Sequence, residues 1–248
     1  VDQQATVIRW FDHWLKEIEN GVDREPPVRY FVMGSNQWKS AQTWPPPHLE
    51  PVSYRLVSAG NAGDAQGDGA LEPPSSTTES VSDCDSYTYD PRNPVPTLWS
   101  PEWFTAPADR RVLEHRCDIL YYRSAPLAEP VEIAGYSEVI LFISSTAPDT
   151  DFFARLVDEF PNQSESNTET AWYHTLRGNP SPPSQTLGPA REICYGMIRA
   201  RHRNSLDDEE LLKPGEVIRV RIELGPTACC FERGHRIRLE ITSSDFPN

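Results

Sequence analysis

The stretch EVILFISSTAPDTDFFARLVDEF, Glu138–Phe160, decides how the rest of the chain is read. Val139 to Ile143 is apolar at consecutive positions, the pattern of a strand covered on both faces. Pro148-Asp149-Thr150-Asp151 is a turn signal. Beyond it Phe152, Ala154, Leu156 and Phe160 share one alternating face with Asp158, while Arg155 and Glu159 fall on the other, which describes a strand with one face toward a core. Two strands around a short polar turn predict a central hairpin, and the weaker strands on either side need such a hairpin to pack against. The expected class is mostly β, a sandwich or jelly roll.

Outward from this stretch, the C-terminal third carries the clearest alternation. Ile218, Val220, Ile222 and Leu224 are interleaved with Arg219, Arg221 and Glu223. Ile237, Leu239 and Ile241 are interleaved with Arg236, Arg238 and Glu240, so both segments read as strands with charges outward. Ile193–Arg203 shows a regular pattern, Ile119–Tyr122 and Val131–Ile133 mark shorter strands, and Val28–Val32 and Val52–Leu56 add two near the start. Trp38–Pro47 reads as irregular. Ser58–Ser86, rich in Gly, Ser, Asp and Pro, reads as an exposed loop, and 161–191 as a polar insertion. The one long helix is capped by Asp2, carries Val7, Phe11, Trp14, Leu15 and Ile18 on a stripe, and ends at Asn20-Gly21. A lone helix ahead of a β domain looks like the last element of another unit.

The 248 residues hold 23 basic and 37 acidic side chains, a net charge of −14. Such a balance argues against nucleic acid and anionic membrane surfaces as partners, since phosphate binding needs a positive footprint. No apolar run approaches the roughly 20 residues of a membrane span. Cys84, Cys117, Cys194, Cys229 and Cys230 are odd in number and lack a CxxC spacing, so free buried thiols in a reducing, cytoplasmic setting are expected rather than disulfides or zinc. Asn162-Gln163-Ser164 is a lone glycosylation sequon.

Chemistry-bearing residues do not assemble into a motif. Gly135-Tyr136-Ser137-Glu138-Val139 lacks the second glycine of a nucleophile elbow. The histidines at 13, 48, 115, 174, 202 and 235 are scattered, and His13 and His235 read as packing residues. Asp149 with Asp151, and Asp64 with Asp68, supply too few oxygens for calcium and read as turn caps. Trp38, Trp44, Trp99 and Trp103 in Pro-rich connections read as staples, with sugar stacking as the other reading. Catalytic, cofactor and metal residues are therefore all given as none.

Five stretches nonetheless resemble one family in order. They are RWFDHWLKEIENGVDREPPVRYFVMGSNQWKSAQTWPP (Arg9–Pro46), SYTYDPRNPVPT (Ser86–Thr97), SSTAPDTDFFARLVDEFP (Ser144–Pro161), IRARHRNSL (Ile198–Leu206) and GHRIRLEITSSDFP (Gly234–Pro247). Together they are similar to the C-terminal region of the cocaine esterase and X-prolyl dipeptidyl-peptidase family of serine hydrolases. The resemblance implies that residues 1–25 are the terminal helix of an upstream α/β-hydrolase domain plus linker. It implies that residues 26–248 are a jelly-roll sandwich of galactose-binding type that continues past Asn248. The family's triad maps onto no residue of this chain. The implied role is non-catalytic, bracing the hydrolase domain and bordering its substrate cleft. That domain is the expected partner, and self-association is left open. The bare fold fits a carbohydrate-binding module as an alternative.

Overall fold

A computed structural model describes residues 2–74, 84–98, 108–161 and 189–248. Helix α1 (Gln3–Lys16) comes first. It is followed by strands β1 (Val28–Val32), β2 (Gln37–Ala41), β3 (Arg55–Val57), β4 (Ala70–Glu72) and β5 (Ile119–Arg123). Then come β6 (Val131–Ile143), β7 (Asp151–Glu159), β8 (Ala190–Arg199), β9 (Ile218–Phe231) and β10 (Arg236–Thr242). One sheet has six strands in the order β3-β4-β5-β10-β7-β8, and a two-stranded ribbon, β6-β9, lies against it. Val139, Leu141, Val220, Ile222 and Leu224 from the ribbon meet Leu120, Phe152, Ala154, Leu239 and Ile241 from the sheet in one core. The mostly-β, two-layer sandwich expected from the alternation is what forms.

The central hairpin does not. β6 pairs with β9 from Val131↔Phe231 to Ile143↔Ile218, whereas β7 pairs with β10 and β8. The connection between them is an arch from one layer to the other. Its carbonyls at Ser145, Pro148 and Thr150 accept from the N–H groups of Gly215, Leu212 and Ala200, so no two-strand ladder is available to it. Local proximity in sequence yields here to the longer partner each strand finds elsewhere.

The faces are also reassigned. On β6 only Val139 and Leu141 are buried, and Ile140 and Phe142 are 41% and 73% exposed. On β7 both faces are covered, because Arg155 (0% exposed) and Val157 lie buried on the side expected to face water. Arg238 and Glu240, expected outward on β10, are likewise buried, at 0% and 1% exposure. What covers them is the chain before β5, where Ala65, Val95 and Leu113 pack on Ile119 and Tyr121 as a second, smaller core. Beside it Arg110 reaches Glu240 at 2.7 Å and Glu192 at 3.3 Å. Arg155 meets Glu192 at 3.1 Å and Asp245 at 2.6 Å. Arg238 meets Glu240 at 2.7 Å and Glu159 at 3.0 Å, pairs with Glu114, and lies over the Tyr121 ring. Buried charges survive only when paired in this way.

Two further segments are more regular than their composition suggests. Trp38–Pro47, expected irregular, begins with β2, which pairs with β1 from Val28↔Ala41 to Val32↔Gln37. Gly34, at φ +83, lets that hairpin close on β9, since a Cβ there would lie 2.1 Å from the Cys230 carbonyl oxygen. Within Ser58–Ser86, residues up to 74 are built rather than loose: β4 joins the sheet and Ala62 and Leu71 are buried. Residues 75–83 and 162–188, including the sequon at Asn162, lie outside the described residues.

Candidate functional site

The apolar face of α1 is the surface that the sandwich itself leaves unused. Asp2 caps the helix, its carboxylate accepting from the Ala5 N–H at 3.1 Å, as expected. The helix stops at Lys16, earlier than the Asn20-Gly21 signal, because Glu17 takes the left-handed conformation at φ 58. None of its residues is buried: Val7, Phe11 and Trp14 are 53%, 49% and 56% exposed, and Leu15 is 73% exposed. At about 100° per residue, Arg9, His13 and Lys16 share one face, and Val7, Trp10, Phe11, Trp14 and Leu15 lie opposite. The polar face is the one turned to the rest of the chain. Arg9 donates to the Asn20 carbonyl at 3.2 Å and pairs with Glu25 at 2.5 Å, and Asn20 donates back to the Arg9 carbonyl at 2.6 Å. His13 Nδ1 lies 3.1 Å from the Ile18 carbonyl oxygen. An amphipathic helix that shows its own chain the polar side has its apolar side free for another body.

The hairpin β1–β2 repeats this arrangement. Tyr30 and Val32 turn inward with Trp44, Ala134, Ala228 and Cys230, and Lys39 pairs with Glu132 at 2.7 Å. Phe31 and Trp38, cross-strand partners, are exposed and in ring contact at 5.3 Å, with the Arg29 guanidinium over Trp38. Trp44 is thus a staple, while Trp38 is surface; Trp99 and Trp103 lie outside the described residues.

The chemical candidates fall into ordinary structural places. Ser137 sits within β6, not on a turn between strand and helix. Asp149 accepts from the Arg201 N–H at 3.0 Å and Asp151 holds Arg199 in two contacts of 2.8 and 2.9 Å. Asp64 accepts from the Gln66 N–H, and Asp68 from Ser58 Oγ and the N–H groups of Ala59 and Asn61; the Ser58 hydroxyl leads the effects that hold its carboxyl below the usual range. Among the described residues no three His, Cys, Asp or Glu side chains are placed to hold a metal. Burial raises the Cys194 thiol to about 12 and the thiols of Cys229 and Cys230 above their ordinary value, which leaves these three poor nucleophiles. All five cysteines are free, although Cys84 and Cys117 are exposed rather than buried.

His235 is the exception to scatter. Its Nδ1 lies 2.8 Å from Asp158 Oδ1 in a buried pair, with the Phe160 ring 4.2 Å away. Burial raises the Asp158 carboxyl above its ordinary value, partly offset by the bond to His235. His235 also accepts at its backbone from the Leu127 N–H, so it pins the entry to β10. His115 lines an open cleft of about 300 Å³ with Thr88, Asp90, Asn93, Arg116, Cys117 and Asp118. There Arg116 is already engaged by Asp118 and Asn93. His202 lies 3.8 Å from Glu209, and His174 lies outside the described residues. Sequence reasoning missed the Asp158–His235 pair, 77 residues apart, and the long-range buried ion pairs, which span 37 residues for Arg155–Glu192 and 130 for Arg110–Glu240, because nothing local in the sequence joins them.

The described residues thus form a mostly-β sandwich preceded by a helix whose apolar face is exposed. The chain belongs to the family described as the X-Pro dipeptidyl-peptidase C-terminal non-catalytic domain, which it matches over residues 20–248. It is 35% identical over 251 aligned residues to the cocaine esterase of Rhodococcus sp. (strain MB1 Bresler), covering 99% of this chain and 39% of the esterase. An aminopeptidase from the marine sediment archaeon Thaumarchaeota archaeon superposes with a TM-score of 0.74 at 25% identity, over 98% of this chain and 37% of that one. An α-amino acid ester hydrolase shares the fold at a TM-score of 0.71 and 23% identity, over 97% of this chain and 37% of that one. The chain thus spans under two fifths of the length of these relatives. No helix among the described residues is long and apolar enough to cross a membrane.

Proposed function

We propose that this chain is the C-terminal accessory domain of a larger serine hydrolase that cleaves esters, amides or X-Pro peptides. In this reading α1 is the last helix of the α/β-hydrolase domain, the boundary falls near residue 25, and residues 26–248 form the jelly-roll-like sandwich that braces it and borders the substrate cleft. The exposed apolar arc of α1, set opposite the face that Arg9 fixes to Asn20 and Glu25, carries the reading. Family membership and the length of the relatives support it. The five free thiols support a reducing compartment, the cytoplasm.

The chain by itself is expected to leave p-nitrophenyl acetate and an X-Pro anilide unhydrolysed, because catalysis needs an activated nucleophile and an oxyanion hole. Its α1 amides are expected to exchange far faster than those of Val139–Ile143, since a helix this short is marginal without packing. Turnover blocked by a fluorophosphonate would falsify the non-catalytic role. Equal amide protection of α1 and β6 in the monomer would overturn the boundary.

A further inference from the structure

We propose that the outer face of the hairpin β1–β2 is a second contact in the same docking seat as α1, so that the preceding polypeptide rests on both. The inference builds on the reading of α1 as part of a hydrolase domain and extends it to residues of the sandwich. Arg29, Phe31 and Trp38 stand on one side of the hairpin, and all three are exposed. Two large aromatic side chains, 37% and 48% exposed, form a paired apolar patch on a hairpin whose other face is fully used by Val32, Ala228 and Cys230. A row of exposed aromatics on a rigid support is the composition of an interface centre rather than of a solvated edge.

The two patches are close in sequence, and the segment between them is tied to α1. Arg9 on α1 pairs with Glu25, just ahead of Pro26 and the hairpin. The reciprocal hydrogen bonds between Arg9 and Asn20, together with the Val22 N–H on Asn20 Oδ1, fold residues 18–25 back along the helix. The chain therefore runs from helix to hairpin through a tied elbow rather than a free linker. The hairpin begins at Val28, three residues after Glu25, so a body seated on the apolar arc of α1 lies close to it. The occupant that fits is the polypeptide ahead of this chain, because the relatives carry more than half their length outside the matched region. A second copy of the chain and a separate protein are the competing occupants.

Hydroxyl-radical footprinting of the longer polypeptide and of residues 1–248 tests this, with modification read at Trp14, Trp38 and Trp44. Trp44, which packs inward against Tyr30, serves as the internal reference. Several-fold protection of both Trp14 and Trp38 in the longer polypeptide, with Trp44 unchanged, is the expected result. Protection of Trp14 without Trp38 overturns the second contact and leaves the reading of α1 standing. Absence of protection at both overturns the two together. Protection of Trp38 that appears in residues 1–248 alone and grows with protein concentration assigns the face to a second copy and overturns the proposal.

Discussion

Residues 219–224, RVRIEL, and residues 236–241, RIRLEI, are nearly the same sentence written twice, and the fold gives them opposite outer faces. Both strands direct their aliphatic residues into one core: Val220, Ile222 and Leu224 from β9, Ile237, Leu239 and Ile241 from β10. On β9 the alternate residues Arg219, Arg221 and Glu223 stand in water, and Arg221 pairs with Glu138 and Glu223 at the surface. On β10 the equivalent Arg238 and Glu240 are closed off beneath the segment that carries Arg110 and Glu114. The neighbours differ: β9 has β6 along one side in a two-stranded ribbon, whereas β10 lies between β5 and β7 in the middle of six strands. An alternating pattern thus specifies the inner face and says nothing about whether a further layer closes over the outer one.

The sharpest break of this comparison is to remove equivalent arginines. Arg238→Ala removes one of the two buried guanidiniums that face Glu240, together with a partner of Glu114 and of Glu159, and is expected to cost about 3–5 kcal/mol. Arg221→Ala removes only exposed pairs and is expected to cost under about 1 kcal/mol. Denaturant melts with unchanged m-values decide it, and similar losses would mean that the covering segment is open in solution.

The inner faces, by contrast, should respond alike. Leu239→Ala and Leu224→Ala each empty a site in the shared core and are expected to cost about 2–5 kcal/mol. Comparable losses for these two, beside unequal losses for the two arginines, separate the inner face from the outer one.

Acid sharpens the contrast further. Burial by itself would raise the Glu240 carboxyl, but Arg110 and Arg238 more than offset this and hold it below its ordinary 4.5. A depressed carboxyl contributes stability that is fully present above about pH 4.5 and is lost as pH falls through the lower folded value. The unfolding free energy should therefore drop below pH 4.5, and Glu240→Gln should flatten that slope by up to about 1.4 kcal/mol per pH unit. An unchanged slope in the variant would assign the acid sensitivity to other carboxylates.

The smallest effect belongs to the bare side of the ribbon. Phe142→Ser changes a side chain that is 73% exposed and is expected to shift stability by no more than about 0.5 kcal/mol. A loss as large as that of a core leucine would show that something covers β6 in solution.

The sequence by itself determined most of the longer strands, the inner register of β9 and β10, the cap of α1 at Asp2 and the local roles of Asp64 and Asp68, because each rests on a period or on bonds no more than about ten residues long. It also showed the family, through ordered motifs. Three of those motifs come together in space: Tyr87 reaches Ser243 at 2.8 Å, Val95 donates to Ser244 at 2.8 Å, and Thr150 lies 3.5 Å from Ser243. Only the tertiary structure decided that β6 and β7 part into different layers, that Arg155, Arg238 and Glu240 are interior, and that His235 meets Asp158. Hydrophobic period reports a residue's preference for one side of its own strand. Which strand becomes its neighbour, and whether a charge finds its counter-charge far along the chain, is settled by packing over the whole molecule, where a buried ion pair is stable only when every partner arrives together.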